Sequence, residues 1–586
     1  MRKNFLGLLI GALLCVFVSC NTNSPSNGTD SSSTATDTTV NTGDDDNDFV
    51  ENQTWNSTIS ISWNGSVATV SGSADGVTVS SENGVVTITS SVKNIEYALS
   101  GSGSGQLNIY SDYKFKLSLS GLTLSCTDGP AINNQCSKTC YVVLTGTNSL
   151  SDGATYASSD EDRKAAFFSE GQLVFSGSGA LSVTGNYKHA LASDDYIRVR
   201  EGSLSLTANV SDGLHTNDGV IINGGTLTVS AAGDGLQCDT SSIIITNGTV
   251  NVTKAGDKGI LAYSNVEISG GSVSVVSADK GIKSAAGNIV VSGGTISVTT
   301  TGNDGKGILA KLGEFQMSDG TVTVKTAGSD AKGIKSVGNM TISGGDITVI
   351  CSGSGSSYAP MAGPGGQGGP GGNQGGWGGN SGSSAPEGIE SKALLTISGG
   401  KVYAQSSDDA INSGGNMTIS GGYVCAYSTG NDGIDANGNC YIKGGVVYAI
   451  SASSPEVGID ANTEGGYKLY VQGGTLVAIG GIESGSSLSQ SCYSASSWSK
   501  NTWYALTVGN ETFAFKTPSS AGSGLVLSAA SAPTLLSGVT VNGGTSIFNG
   551  MGYSGATVSG GSSVSISSYS GGNTGGGPGG GGGGRW

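Results

Sequence analysis

Acidic residues recur at one turn of a repeating sequence, one to three residues before a Gly-aliphatic or Ala-aliphatic pair. They are Asp212, Asp234, Asp257, Asp279, Asp304, Asp330, Glu387, Asp409, Asp432 and Glu456. If the repeats stack, these side chains line one edge at intervals of about 5 Å. Like charges at that spacing cost free energy unless cations neutralise them or water solvates them. The acids therefore predict cation binding.

Lysine balances only some of these turns. Lys258, Lys280, Lys306 and Lys332 follow the acid by one or two residues in the middle repeats, and the flanking repeats have no Lys at that place. Two zones are left without this balance. The first contains Asp194, Asp195, Asp212, Asp218 and Asp234, and the second contains Glu387, Glu390, Asp408, Asp409, Asp432, Asp435 and Asp460.

The second zone fits calcium better, because Ca²⁺ takes six to eight oxygen ligands, several of them carboxylate. The residue after each aliphatic marker should point outward, which gives a ladder of Glu390, Asn412, Asp435 and Asp460 beside the acids of the preceding turn. The predicted metal ligands are Asp408, Asp409, Asp432, Asp435, Asp460 and Glu390. The alternative is that these acids cap their own turns, the usual role of Asp before Gly.

Tyrosines mark a second candidate surface. In the late repeats the outward positions after Gly-Gly carry Tyr403, Tyr423, Tyr427 and Tyr448, where earlier repeats carry Thr, Ser or Asn. A tyrosine has an apolar body and a polar tip, which suits the face of a sugar ring. These tyrosines and Asn412 are the predicted ligand-binding residues. The alternative is that a C-terminal cap packs over them.

The aliphatic markers define the repeat that must position these side chains. Apart from two larger gaps they recur every 22 to 26 residues, at Ile132, Phe167, Leu191, Leu214, Leu236, Ile260, Ile282, Ile308, Ile334, Ile389, Ile411, Ile434 and Ile459. Each repeat holds three short alternating runs separated by turn residues, as in 333–349. Runs this short bury a face only by stacking on the next repeat. We predict an all-β protein with a right-handed parallel β-helix, because propeller repeats need about 40 residues or more.

The chain divides by composition into a targeting segment, a tether, the helix and its caps. We predict a lipoprotein signal peptide at 1–20, a flexible tether at 21–52, an N-terminal β cap and first coils at 53–125, the helix at 126–480 with a Gly/Pro-rich insertion at 352–386, a C-terminal β cap at 481–570 and a Gly-rich tail at 571–586. Arg2, Lys3 and the apolar stretch 5–18 precede Ser19-Cys20, which resembles a lipobox with Cys20 as the lipidated residue. An ordinary cleaved signal peptide is the alternative.

Net charge limits the partners. The formal net charge of -16 makes nucleic acid a poor partner, because its phosphates would be repelled. We expect contact with a membrane through the lipid anchor only, and we expect the protein to be a monomer.

Eight cysteines remain once Cys15 of the signal peptide and the lipidated Cys20 are set aside. If a local disulfide forms, we expect Cys126 to pair with Cys136 or Cys140.

Several motifs carry a family resemblance over residues 55–480. They are Leu117, Ala131-Ile132, 148–153 (NSLSDG), 185–189 (GNYKH) and 431–435 (NDGID). With them the chain resembles a family of bacterial cell-surface carbohydrate-binding proteins. The resemblance implies a pectate-lyase-like parallel β-helix, bound calcium and association with plant cell-wall polysaccharides, including cellulose and polygalacturonate.

These observations together predict a carbohydrate-binding protein anchored at the outer membrane or cell surface, assisted by calcium and recognising acidic pectin or cellulose. A bound cation would bridge the acidic protein to uronate carboxylates. A non-catalytic adhesin for another surface ligand is one alternative, and a calcium-dependent polysaccharide lyase is another. No Arg lies between Arg200 and Arg585, but Lys283 and Lys335 share the outward ladder with Asp435 and keep a lysine base open. We assign no catalytic residue.

Overall fold

The structure is a computed structural model that describes residues 46–355, 385–452 and 454–571. Cys20, the signal peptide, most of the tether, residues 356–384 of the insertion and all but the first residue of the tail lie outside the described residues. The described chain is nearly all β, a parallel β-solenoid of about 14 turns with about 24 residues per turn. The predicted fold class is confirmed.

One sheet carries the aliphatic markers, and we call it the marker face. Its 15 strands in the described residues are Val77–Glu82, Val85–Ser90, Gln106–Ser111, Ile132–Asn134, Ala165–Ser169, His189–Ser193, Leu214–Thr216, Leu236–Cys238, Ile260–Ala262, Lys280–Ser284, Lys306–Ala310, Lys332–Ser336, Ile389–Ser391, Ile411–Ser413 and Ile434–Ala436. From Val85–Ser90 onward neighbouring strands are parallel, so each marker pairs with the marker one coil away.

A second sheet forms the rest of each coil. Its 32 strands in the described residues are Ser57–Gly65, Val67–Ser71, Ile95–Ser104, Phe115–Ser125, Cys140–Thr145, Thr147–Ser151, Leu173–Ser176, Ala180–Gly185, Tyr196–Val199, Ser203–Ala208, Gly219–Ile222, Thr226–Ala231, Ile243–Ile245, Thr249–Ala255, Val266–Ile268, Ser272–Ser277, Ile289–Thr300, Phe315–Thr326, Met340–Ile342, Asp346–Cys351, Leu395–Ile397, Lys401–Ser406, Met417–Ile419, Tyr423–Ser428, Cys440–Ile442, Val446–Ile450, Leu469–Val471, Thr475–Ile479, Ser487–Leu488, Cys492–Ala495, Leu525–Ser528 and Ser567–Tyr569. Ile289–Thr300 is long enough to pair with two different strands of the preceding coil.

Both ends of the parallel stack are closed by strands of opposite direction. At the start, Val67–Ser71 runs antiparallel to Ser57–Gly65. At the end, Leu525–Ser528 runs antiparallel to Thr475–Ile479. The segments on either side of Leu525–Ser528 form a closed four-stranded barrel. Its strands are Trp503–Val508, Glu511–Lys516, Thr534–Ile547 and Gly552–Ser563. Short 3-10 turns lie at Asp46–Asp48, Val50–Asn52 and Phe548–Gly550.

Alternating side chains fill the interior of the coils with aliphatic residues. Ile282, Ile308 and Ile334 of the marker face are each no more than 1% exposed.

The described cysteines are all free and buried, so the expected local disulfide of Cys126 is not formed. No helix among the described residues is long and apolar enough to cross a membrane.

The Gly before the marker has a packing reason. A Cβ built at Gly307 would lie 2.1 Å from Val324 Cγ1, a separation that real Cβ atoms essentially never show. The same 2.1 Å contact with a valine recurs at Gly213, Gly259, Gly281 and Gly333. In these five coils the Gly of the marker pair therefore lies where two walls of one coil approach too closely for a side chain.

Gly307→Ala is expected to lower the stability of the fold by about 1–3 kcal/mol, because overpacking shifts neighbouring groups. Thermal unfolding followed by circular dichroism measures the effect. Gly355→Ala is the matched control, since its added Cβ meets no described residue closer than 3.8 Å. Equal unfolding midpoints for the two variants would contradict the packing argument.

Candidate functional site

The parallel register aligns the outward ladder of the late coils. Glu390 lies beside Asn412, and Asn412 lies beside Asp435. Ile459 bridges Ile434, which places Asp460 one coil further along. The acids of the preceding turn, Asp408, Asp409 and Asp432, adjoin this ladder, because each turn stacks on the equivalent turn of its neighbour.

The turn acids cap the backbone of the next coil with one carboxylate oxygen each. Asp409 Oδ1 accepts a hydrogen bond from the Asp432 N–H at 3.3 Å, and Asp432 Oδ1 accepts one from the Val457 N–H at 2.6 Å. Asp212 does the same for the Asp234 N–H at 2.8 Å. The alternative stated from sequence was a cap on each acid's own turn, and the structure instead places these caps on the backbone of the neighbouring coil. The second oxygen of each carboxylate takes no part in the cap.

Asn412 links the turn to the ladder. Its Nδ2 donates to Asp409 Oδ2 at 3.1 Å and to Asp435 Oδ2 at 2.8 Å. Its Oδ1 is buried and has no hydrogen-bond partner among the described residues. Asp408 Oδ1 accepts a hydrogen bond from Asn431 Nδ2 at 2.8 Å. We call the set Asp408, Asp409, Asn412, Asp432 and Asp435 the acidic site.

The acidic site holds charge that the described residues do not neutralise. Within that part of the chain, no Lys, Arg or His nitrogen lies within ion-pair distance of its four carboxylates. Burial, and after it the repulsion of neighbouring carboxylates, raises the pKa of Asp432 to about 7 and the pKa of Asp409 well above its usual range. Burial also raises the pKa of Asp435. An unpaired acceptor among crowded carboxylates is a donor set suited to a hard cation.

Glu387 extends the acidic site on one side. One carboxylate oxygen each of Glu387, Asp408 and Asp409 lie within 4.8 Å of one another. Glu387 also contacts Lys332 Nζ at 2.5 Å, so its charge is already partly balanced. The carboxylates that most need a cation are therefore those of Asp408, Asp409, Asp432 and Asp435.

Glu390 corrects one of the predicted metal ligands. Its fully buried carboxylate contacts Lys332 Nζ at 3.1 Å, Lys335 Nζ at 2.9 Å and Lys392 Nζ. Although burial opposes ionisation, these ammonium groups hold the pKa of Glu390 below its usual value. Three ammonium groups would repel a metal ion, so Glu390 serves as an anion that binds lysines.

Asp460 lies on the ladder but pairs with a different residue. Its carboxyl group shares a hydrogen bond with Glu483, and burial together with that bond raises the pKa of Asp460. The hydrogen bonds of the acidic site do not include Asp460. Of the six predicted metal ligands, Asp408 and Asp409 converge with each other and with Glu387. Asp435 is joined to Asp409 through Asn412, and Asp432 through its backbone N–H.

The tyrosine surface also needs a correction. Tyr448 is fully buried, and its ring packs against Phe513, Phe515 and Phe548 of the C-terminal region. Tyr403 is only 4% exposed. Both side chains point outward from the coil, as predicted, but the C-terminal barrel covers them. They are not exposed for a sugar to stack on.

Tyr423 and Tyr427 lie at the edge of the same contact. Both are half-buried and pack against the apolar layer between the coils and the barrel. Tyr423 Oη lies 2.9 Å from Ser554 Oγ of the barrel. The alternative stated from sequence, a cap packed over the tyrosines, is the arrangement observed.

Sequence reasoning missed a cluster of both histidines. Asp212 Oδ2 lies 3.1 Å from His189 Nδ1 and 3.1 Å from His215 Nδ1, and the two rings stack with centroids 4.2 Å apart. Burial raises the pKa of Asp212, but the hydrogen bonds with both histidines outweigh it and hold that pKa well below the usual value. The sequence did contain one signal for this cluster, because His215 directly follows the marker Leu214 just as Asp435 directly follows the marker Ile434.

A comparison with protein families identifies the chain. A family model described as carbohydrate-binding domain-containing protein matches residues 82–277, 240–362 and 309–433, together more than half of the 586 residues. The chain belongs to this family. The family matches include Asp408, Asp409, Asn412 and Asp432 and end just before Asp435. The resemblance inferred from the motifs is confirmed for the carbohydrate-binding family and the solenoid fold.

A solved structure is similar to half of the chain. The structure described as the polysaccharide lyase-like protein from C. thermocellum, gadolinium derivative, is similar with 20% identity and a TM-score of 0.31. The similarity covers 50% of this chain and 97% of that chain. The comparison with curated proteins gives no match.

Proposed function

We propose that the protein binds an acidic plant cell-wall polysaccharide of the pectin type through calcium held at the acidic site. Family membership supports carbohydrate as the ligand. The calcium proposal is carried by four buried or half-buried carboxylates that have no cationic partner among the described residues, beside an Asn412 Oδ1 that is unpaired within the same part of the chain.

Asp409, Asp432 and Asp435 would supply carboxylate oxygens and Asn412 an amide oxygen, the ligand types that calcium takes. Asp408 adds a further carboxylate on the same turn. Calcium bound there reverses the local charge and supplies a contact for uronate carboxylates. Without it, a chain of net charge -16 repels a polyuronate.

The anchor completes the proposal. A lipid on Cys20 would hold the protein at the outer membrane or cell surface, and residues 21–45 would set the solenoid away from the lipid. The end of the predicted tether instead packs on the coils, because Asp48 pairs with Arg198 and Glu51 with Arg200. The acidic site then faces polysaccharide outside the cell. No part of this arrangement requires a chemical reaction.

The test is a pull-down with insoluble polygalacturonate and with cellulose, in calcium and in chelator. Retention on polygalacturonate in calcium that falls at least tenfold in chelator is the expected result. Cellulose retention without a calcium effect would assign the protein to the neutral polymer instead. Failure to bind any glycan in calcium would leave the adhesin alternative.

The same samples test the lyase alternative. Lys335 Nζ contacts the Glu390 carboxylate at 2.9 Å, so this lysine already serves as an ion-pair partner. We expect no unsaturated uronate absorbance on incubation with pectate and calcium. A steady increase in that absorbance would show a lyase.

A further inference from the structure

Early coils form a groove lined by lysines, far along the chain from the acidic site. The groove has a volume of about 470 Å³ and is lined by Lys93, Tyr113, Lys114, Lys138 and Gln172, among others. These residues occupy the same turn on successive coils, because the Phe115 N–H donates to Thr139 O and the Cys140 N–H donates to Gln172 O. We call it the lysine groove.

Its charge is opposite to that of the whole protein. Lys93, Lys114 and Lys138 have no carboxylate within ion-pair distance among the described residues. In the middle coils, by contrast, Lys258, Lys280 and Lys306 each contact an aspartate. Among the described residues that line the groove, Asp112 is the single acid. Three cations on adjacent turns repel one another, and a bound anion would relieve that repulsion.

The groove also offers an aromatic ring. Tyr113 is 38% exposed, and Lys93 Nζ lies 4.9 Å from the centre of its ring. An exposed ring edge beside ammonium and amide donors combines apolar contact with directed hydrogen bonds. The volume lies within the range of about 300–1,000 Å³ usual for ligand sites.

The position within the family match points to the ligand. Every residue from Lys93 to Gln172 falls inside the first matched segment, 82–277. A cationic groove in a carbohydrate-binding segment fits a sugar that carries a carboxylate better than a neutral one. A uronate supplies a carboxylate for the lysines and a ring for Tyr113.

We infer that the lysine groove binds a uronate residue of the acidic polysaccharide directly, without calcium. The inference rests on the proposed function and adds to it a second point of contact on the same polymer. The protein would then contact one polymer at two sites of different chemistry. The acidic site responds to calcium, and the lysine groove responds to salt, which screens its charges.

The test compares two triple variants of the full chain. Lys93→Gln/Lys114→Gln/Lys138→Gln removes the charges of the groove. Lys254→Gln/Lys311→Gln/Lys325→Gln removes three charges from exposed lysines elsewhere and is the matched control. Binding of oligogalacturonate in chelator at low salt is measured by titration calorimetry. We expect at least a tenfold loss of affinity in the groove variant and less than a twofold change in the control.

A second variant pair separates ring contact from charge. Tyr113→Ala should weaken oligogalacturonate binding several-fold at unchanged net charge, and Tyr113→Phe should retain most of it. Inorganic phosphate serves as a competitor, and equal displacement by phosphate and by galacturonate would reduce the groove to a general anion site and overturn the inference.

The remaining outcomes distinguish the inference from the function on which it rests. Equal affinity of both triple variants overturns the lysine groove and leaves the calcium proposal intact. If the wild type binds oligogalacturonate in calcium but not in chelator, the lysine groove is likewise overturned and the calcium proposal stays intact. Absence of oligogalacturonate binding under both conditions overturns the proposed function and the inference together.

Discussion

Asp409→Asn/Asp432→Asn is expected to stabilise the protein in chelator at pH 8 and to abolish its stabilisation by calcium. Asn keeps the oxygen that caps the next coil but removes two crowded charges. A carboxyl pKa raised in the folded state makes stability fall as pH rises from the unfolded pKa to the folded one. For Asp432 that window runs from 3.8 to about 7.

The size of the effect follows from the same shift. At about 1.4 kcal/mol per pKa unit, the shift of Asp432 from 3.8 to about 7 means that its charge costs about 4 kcal/mol at pH 8 and about 2 kcal/mol at pH 5. The variant should therefore unfold at a higher temperature than the wild type at pH 8, with a smaller difference at pH 5. Calcium at a hundredfold excess over its dissociation constant should stabilise only the wild type, by about 2.7 kcal/mol.

Asp257→Asn/Asp279→Asn is the control for this prediction. It removes the same charge from acids that contact Lys258 and Lys280. Its calcium response should match that of the wild type. Scanning calorimetry with and without calcium makes the comparison, and a full calcium response in the Asp409/Asp432 variant would contradict a metal centre at the acidic site.

Tyr448→Ala is expected to destabilise the contact between the barrel and the late coils by about 3–5 kcal/mol, the usual cost of removing a buried aromatic ring. Tyr448 packs against three phenylalanines and donates a hydrogen bond to Lys516 O at 2.9 Å. Fluorescence of Trp498 and Trp503 reports on this region during denaturant unfolding.

Two further variants define the result. Tyr448→Phe keeps the ring and should cost only about 1 kcal/mol, the value of one hydrogen bond. Tyr467→Ala, at a residue that is 42% exposed, should have little effect on stability. Weaker polysaccharide binding by Tyr448→Ala without loss of stability would restore the tyrosines as a ligand surface.

The repeat made the fold predictable, because spacing and alternation alone determine which side chains point inward. The markers aligned Glu390, Asn412 and Asp435 in the order that the sheet register shows. Period-two alternation likewise gave the outward direction of Tyr403 and Tyr448. Direction is a local property of a strand, so one coil is enough to predict it.

Exposure and charge pairing depend on distant residues and were predicted less well. The barrel that covers Tyr448 has no repeat that would place it against the coils. Lys335 lies beside Glu390 only because the intervening insertion leaves the register unchanged. That insertion separates Glu390 in sequence from Lys332 and Lys335, which hid two of its three ion pairs and made it look unbalanced.

The reversed strand at the end of the stack bears on how long such a protein can be. Leu525–Ser528 occupies the edge of Thr475–Ile479 in the antiparallel sense, so a further parallel coil has no edge on which to add. The two reversed strands contact only terminal coils, whereas the barrel beside the second one also packs over Tyr403, Tyr423 and Tyr448 of the late coils. Coils that precede the barrel contact lie outside both closures, so coils gained or lost there would change the length of the solenoid without reopening either end.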